Sequence, residues 1–126
     1  MRNQGIGYYT IRVPSSDLDK IADFYIGIVG LENGSRPDSN VEGRWLYAGG
    51  KDVLHIEADN DLVSAETSIA HSISHVSFQC TGLDEAVEHL NSSHVSFDLV
   101  GTNAVGVAQV FLRDPEGRGV ELNFNP

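Results

Sequence analysis

The sequence predicts an α+β fold built from two copies of one βαβββ module, and three observations carry that reading. First, the halves of the 126-residue chain repeat each other: Tyr8-Tyr9-Thr10-Ile11-Arg12-Val13 aligns with His75-Val76-Ser77-Phe78-Gln79-Cys80 (75 − 8 = 67), and Val53-Leu54-His55-Ile56-Glu57 with Gly119-Val120-Glu121-Leu122-Asn123 (121 − 55 = 66). Second, each half opens on a β-rich stretch that runs into an amphipathic helix. Third, each half closes with three short strand candidates set off by turn residues. A module of about 60 residues buries too little surface to be stable alone, so the two are expected to share one sheet or core. Together they form a single domain over residues 1–126, with module one over 1–58, a linker over 59–73 and module two over 74–126.

In module one, Ile6 to Val13 reads as the first strand, and Pro14-Ser15-Ser16-Asp17 breaks it with helix-capping residues. Leu18, Ile21, Tyr25 and Ile28 recur at helical spacing, and Gly30 is placed to terminate the helix. Strands are expected at Leu31 to Ser35, Arg44 to Ala48 and Asp52 to Glu57, the last two joined by a Gly49-Gly50 turn. The polar, aperiodic segment that follows reads as the linker. Module two repeats the order. Ser74 to Cys80 is its first strand, and Leu83, Ala86, Val87 and Leu90 give the helix a buried face. Strands are then expected at Ser96 to Val100, Val107 to Arg113 and Gly119 to Asn123, with Asp114-Pro115-Glu116-Gly117 as the turn between the last two.

Composition narrows the function. Eighteen acidic against eight basic residues give a formal charge of −10, which disfavours nucleic acid and anionic membranes as partners. No apolar run approaches the roughly 20 residues that span a bilayer, and the N-terminus has no apolar core of signal-peptide length, so the expected location is cytoplasmic. Cys80, the single cysteine, reads as a small buried hydrophobe. Neither a phosphate-binding glycine pattern nor Gly-x-Ser-x-Gly is present.

Strand alternation places His55 on a face with Val53 and Glu57, His75 with Ser77 and Gln79, and Glu121 with Asn123. The apolar residues between them are free to pack beneath the helices, leaving a polar face. Two imidazoles and a carboxylate on three strands form a candidate divalent-metal site for Zn, Fe, Mn, Co or Ni. The repeat strengthens it by making Tyr8 equivalent to His75, and His55 equivalent to Glu121. His71 falls in a loop and His89 and His94 on or after a helix, which sets them apart from this face.

The chain resembles the vicinal oxygen chelate superfamily, which includes glyoxalase I, extradiol dioxygenases, fosfomycin-resistance transferases, methylmalonyl-CoA epimerase and bleomycin-resistance proteins. The resemblance spans essentially the whole chain. It rests on Ile11-Arg12-Val13-Pro14, Leu18-Asp19, Phe24-Tyr25, Gly30-Leu31, Trp45-Leu46-Tyr47, Leu54-His55-Ile56 and His75-Val76-Ser77-Phe78. Its most specific part is the closing Phe111-Leu112-Arg113-Asp114-Pro115-Glu116-Gly117 followed by Val120-Glu121-Leu122.

The resemblance implies a glyoxalase-like fold in which paired βαβββ modules curl their mixed sheets into an open barrel around a divalent metal. It implies ligands at Tyr8, His55, His75 and Glu121. Metal-binding relatives offer His or Gln where this chain has Tyr8, which leaves three readings: a phenolate ligand, a proton donor or orienting group beside a three-ligand site, or a cavity that has lost the metal. The enzyme reading expects Lewis-acid stabilisation of an enolate or alkoxide from a small substrate with adjacent oxygens, with Tyr8 and Glu57 as proton-transfer candidates. Lyase or isomerase chemistry is expected ahead of an extradiol-type dioxygenase, whose relatives carry His at the Tyr8 position. Trp45 and Tyr47 are the candidate substrate contacts. The competing reading is a metal-free, sequestering protein of the bleomycin-resistance type. Either way the resemblance implies a homodimer.

Overall fold

The computed structural model describes residues 1–61, 74–102 and 107–124, and the chain divides into two compact units, Met1–Ala65 and Glu66–Pro126. The first unit runs β1 (Tyr9–Val13), a 3₁₀ turn (Ser15–Asp17), α1 (Leu18–Gly27), β2 (Glu32–Gly34), β3 (Gly43–Ala48) and β4 (Lys51–Ala58). The second runs β5 (His75–Cys80), α2 (Leu83–Ser92), β6 (Asp98–Thr102), β7 (Val107–Arg113) and β8 (Gly119–Phe124). Each unit therefore holds one mixed, unclosed four-stranded sheet, in the order β1-β4-β3-β2 or β5-β8-β7-β6. Most of the expected linker, with His71, lies outside the described residues.

The repeat extends to the register. In unit 1 the parallel pair β1–β4 sets Thr10 against His55, and in unit 2 the parallel pair β5–β8 sets Ser77 against Glu121. Both couples are related by the 67- and 66-residue offsets of the sequence repeat (77 − 10 and 121 − 55).

Hydrophobic alternation assigns the faces. Val13, Leu46, Leu54 and Ile56 are fully buried, and α1, which packs against β3 and β4, contributes Leu18, Ile21, Ala22, Phe24 and Tyr25 to the core. Val110, Leu112, Val120, Leu122 and Phe124 do the same for unit 2, together with Leu83 and Leu90 of α2. Cys80 alternates with Val76 and Phe78 on this side of β5, half-buried, and burial pushes its thiol pKa up.

Turns follow the glycines. The Leu31 amide donates to the carbonyl of Tyr25, six positions earlier, at 2.9 Å, with Gly30 at φ 89°, a helix stop that needs a left-handed residue. Gly49 and Gly50, at φ 59° and 80°, make the two-residue β3–β4 turn. Three details differ from the sequence reading. β1 starts at Tyr9, leaving Tyr8 just ahead of the strand, and β6 lies two residues later than expected. Asp17 makes no side-chain cap, because the preceding residues continue the helix as a 3₁₀ turn and hold Asp17 itself in a helical conformation.

The β7–β8 turn is organised by Asp114, 4% exposed. Its Oδ1 accepts the Glu116 and Arg118 amides at 2.9 Å each, and its Oδ2 takes the Arg118 guanidinium at 3.0 Å. Removing the carboxylate leaves two amides without their acceptor and takes from Arg118 one of its two carboxylate partners, the other being Glu116 at 2.9 Å, so Asp114→Ala is expected to lose about 2–3 kcal/mol in urea unfolding. Gly119 faces His75 across the parallel ladder, where a Cβ would collide with the Ser74 carbonyl and lie 2.9 Å from the His75 Cβ. Gly119→Ala is accordingly expected to destabilise by about 1–3 kcal/mol, measured in the same way, by forcing β5 and β8 apart.

Candidate functional site

In unit 2 the polar face is ordered around a buried carboxylate. Glu121, 7% exposed, stands on β8 directly opposite Ser77 of β5 and Phe111 of β7. The Ser77 hydroxyl donates to Glu121 Oε2, and Gln109 Nε2 donates to Oε1 at 3.3 Å. His75 Nε2 lies 4.0 Å from Oε1. The exposed His75 ring is oriented from two sides: Ser74 Oγ sits 3.0 Å from Nδ1, and the Phe111 ring meets it edge-on at 6.0 Å. A carboxylate offers about four lone-pair positions, so two neutral donors do not exhaust its acceptor capacity.

In unit 1 the equivalent position carries a different chemistry. His55, 5% exposed, is sandwiched between Tyr8 (centroids 3.8 Å, planes 15° apart) and Trp45 (3.9 Å, 9°). Trp45 reaches it because β3 pairs antiparallel with β4, Trp45 opposite His55. His55 Nε2 lies 2.6 Å from Asp52 Oδ2, and this hydrogen bond holds the Asp52 carboxyl below its ordinary range.

A regular strand would point residues three apart to opposite faces. The ladder, however, runs from Leu46↔Leu54 to Tyr47↔Asp52, leaving Val53 as an extra residue in β4. This bulge brings Asp52 onto the face of Trp45, Tyr47 and His55, where Val53 was expected.

The remaining candidates have these places. Tyr8 is 55% exposed, its ring against His55. Glu57 lies 3.9 Å from the Arg12 guanidinium, its partner in the β1–β4 register. Tyr47 donates its hydroxyl to the Ser35 carbonyl at 2.6 Å and lies over Gly34, where any Cβ would strike the ring. His89 and His94 are exposed. Sequence reasoning placed Ser77 on the His75 face without giving it a role, and did not single out Asp52, Ser74 or Gln109. Ser77 and Gln109 were detectable in principle, since both fall on the Glu121 face once the register is known, whereas Asp52 was hidden by the bulge.

Among the described residues, neither unit gathers three His, Cys, Asp or Glu side chains able to hold a metal ion. The donors of unit 2 fit part of such a site. Two ligands at about 2.1 Å from one ion sit roughly 3.0–3.4 Å apart, which the 4.0 Å His75–Glu121 separation approaches within an ångström. His55 fits less well, because its Nε2 is already engaged by Asp52.

Known proteins share this architecture. A glyoxalase family protein from Bacillus anthracis superposes with TM-score 0.75 at 22% identity, covering 100% of each chain. A glyoxalase/dioxygenase from Nostoc punctiforme gives TM-score 0.76 at 17% identity, covering 98% of this chain and 92% of that one. A mutant of the fosfomycin resistance protein FosX from Listeria monocytogenes, solved with Mn(II) and 1S,2S-dihydroxypropylphosphonic acid, gives 0.68 at 20% identity, covering 96% and 92%. No curated protein matches the chain by sequence. A family model, by contrast, matches residues 5–122, and with the duplicated βαβββ units it assigns the chain to the Glyoxalase/Bleomycin resistance protein/Dioxygenase superfamily.

Proposed function

We propose that the protein is a divalent-metal-dependent enzyme of the vicinal oxygen chelate type, acting on a small organic substrate with two adjacent oxygens. The observation that carries this is the Glu121 carboxylate, buried, fixed by Ser77 and Gln109, and 4.0 Å from the oriented His75 imidazole. Burying a carboxylate is unfavourable unless it is paired, and its nearest ion-pair partner among the described residues is the exposed His75, at 4.0 Å. A divalent cation would complete the pairing and, when bound, would supply Lewis-acid polarisation of the substrate oxygens. The FosX relative solved with Mn(II) and a dihydroxyphosphonate supports the reading by analogy.

The chain's own groups have distinct duties in this reading. Ser77 and Gln109 hold Glu121 in one rotamer, while Ser74 and Phe111 set the His75 ring, so the pair is organised before a ligand arrives. Tyr8 and Glu57 remain the proton-transfer candidates. Glu57 is tethered to Arg12, and the Tyr8 ring faces solvent on one side. Trp45 and Tyr47 would line the substrate side of unit 1. His55 serves as a ligand only after its bond to Asp52 is broken.

That last condition supports a second reading, a metal-free binding protein. The Tyr8–His55–Trp45 stack would then act as an aromatic wall for an organic ligand.

A homodimer belongs to the proposal. Each sheet ends on open edges, β1 and β2 or β5 and β6, and edge strand β6 with its neighbour β7 exposes Leu99, Val100 and Val107. Solution light scattering is expected to give twice the 13.7 kDa chain mass, and a strict monomer contradicts it.

Elemental analysis of tag-free protein, before and after chelation and reloading, is expected to find about one Fe, Mn, Ni, Co or Zn per chain. The His75→Ala/Glu121→Ala double variant, still folded by circular dichroism, is expected to lose it. Full metal content in that variant would sink the ligand assignment, and no uptake by the native protein would favour the binding reading.

A further inference from the structure

Three features of unit 1 converge on one ring. The Val53 bulge turns Asp52 to the His55 face, the carboxylate lies 2.6 Å from Nε2, and Tyr8 and Trp45 cover both faces of the imidazole. A carboxylate near neutral pH only accepts hydrogen bonds, so at this distance Nε2 must be the donor. A quarter-turn of the ring about its long axis would break two parallel stacks, and a half-turn, which restores them, would still lose the hydrogen bond to Asp52.

We propose that Asp52 is a positioning residue for His55: it holds the ring as the Nε2–H tautomer, leaves Nδ1 as the ring's only acceptor, and withholds Nε2 from a metal ion. Unit 1 then contributes a clamped carboxylate–imidazole couple where unit 2 contributes the metal-binding pair His75 and Glu121. This rests on the proposed function only in treating His55 as a site residue, and the geometry that supports it lies wholly within unit 1. The roles are those of an oriented imidazole: Asp52 fixes which nitrogen carries the proton, and any hydrogen bond or proton that His55 takes from a ligand arrives at Nδ1. The two rings add rigidity. Stacked aromatic pairs at these separations favour one orientation over its alternatives.

The test is long-range proton–nitrogen correlation NMR on protein labelled with ¹⁵N-histidine, with metal stoichiometry as a second readout. The native protein is expected to show the His55 Nε2–H tautomer, with a downfield, slowly exchanging Nε2 proton. Asp52→Ala should lose that proton signal, whereas Asp52→Asn, which keeps an acceptor oxygen, should retain it at least in part. His55 as the Nδ1–H tautomer, or an Nε2 proton unchanged in Asp52→Ala, would overturn the proposal. In the second readout, His55→Gln is expected to keep the native metal content per chain, while His75→Gln loses most of it. Loss of metal in His55→Gln to the same degree would also overturn it, because Nε2 would then be a ligand. If the native protein takes up no metal, the enzyme reading fails by itself, and the NMR measurement still decides the role of Asp52.

Discussion

In each unit the first strand pairs in parallel with the last, and a parallel pair cannot be closed by a tight turn. The chain must leave the first strand, cross the sheet and return, which is why a helix follows at once and why two antiparallel strands intervene. The same pairing places chemistry. It sets Thr10 beside His55 and Ser77 beside Glu121, so a residue near the start of a module always stands next to one near its end. Because the intervening residues Leu54, Ile56, Val120 and Leu122 are buried, the register cannot slip by one without driving polar groups into the core.

On this shared frame the two polar faces have diverged. Unit 2 keeps small and amide side chains around Glu121: Ser77, Gln109 and the glycine that lets His75 approach. Ser77 and Gln109 donate hydrogen bonds to the carboxylate. Unit 1 surrounds His55 with large rings and engages its Nε2 with Asp52. A carboxylate with spare lone pairs and an imidazole with a committed nitrogen are unequal partners for a cation. The sequence repeat makes His55 and Glu121 equivalent in position, but their surroundings give them different availability.

How much was legible follows from which signals are periodic. The elements could be read because alternating and helical hydrophobic patterns, together with Gly49-Gly50 and Asp114 to Gly117, are local. The pairing of His55 with Trp45 could not, since it depends on β3–β4 register, although both residues were singled out separately. Asp52 was invisible for a stronger reason: period-2 reasoning counts residues, and one extra residue at Val53 inverts the count for everything before it. Similarly, Tyr47 carries its ring over Gly34 and its hydroxyl to Ser35, contacts that no spacing within β3 announces.

The bulge also bears on how the aromatic stack is held. Tyr8 lies outside β1 and is more than half exposed, so neither strand pairing nor burial fixes it. The feature that does is the flat face of His55, itself steadied by Trp45 behind it and Asp52 at its edge. Order in this face therefore propagates outward from the β4 backbone: the bulge orients Asp52, Asp52 orients the imidazole, and the imidazole orients Tyr8. A chain of this kind weakens toward its exposed end, which makes Tyr8 the member most readily displaced and His55 the member least able to move.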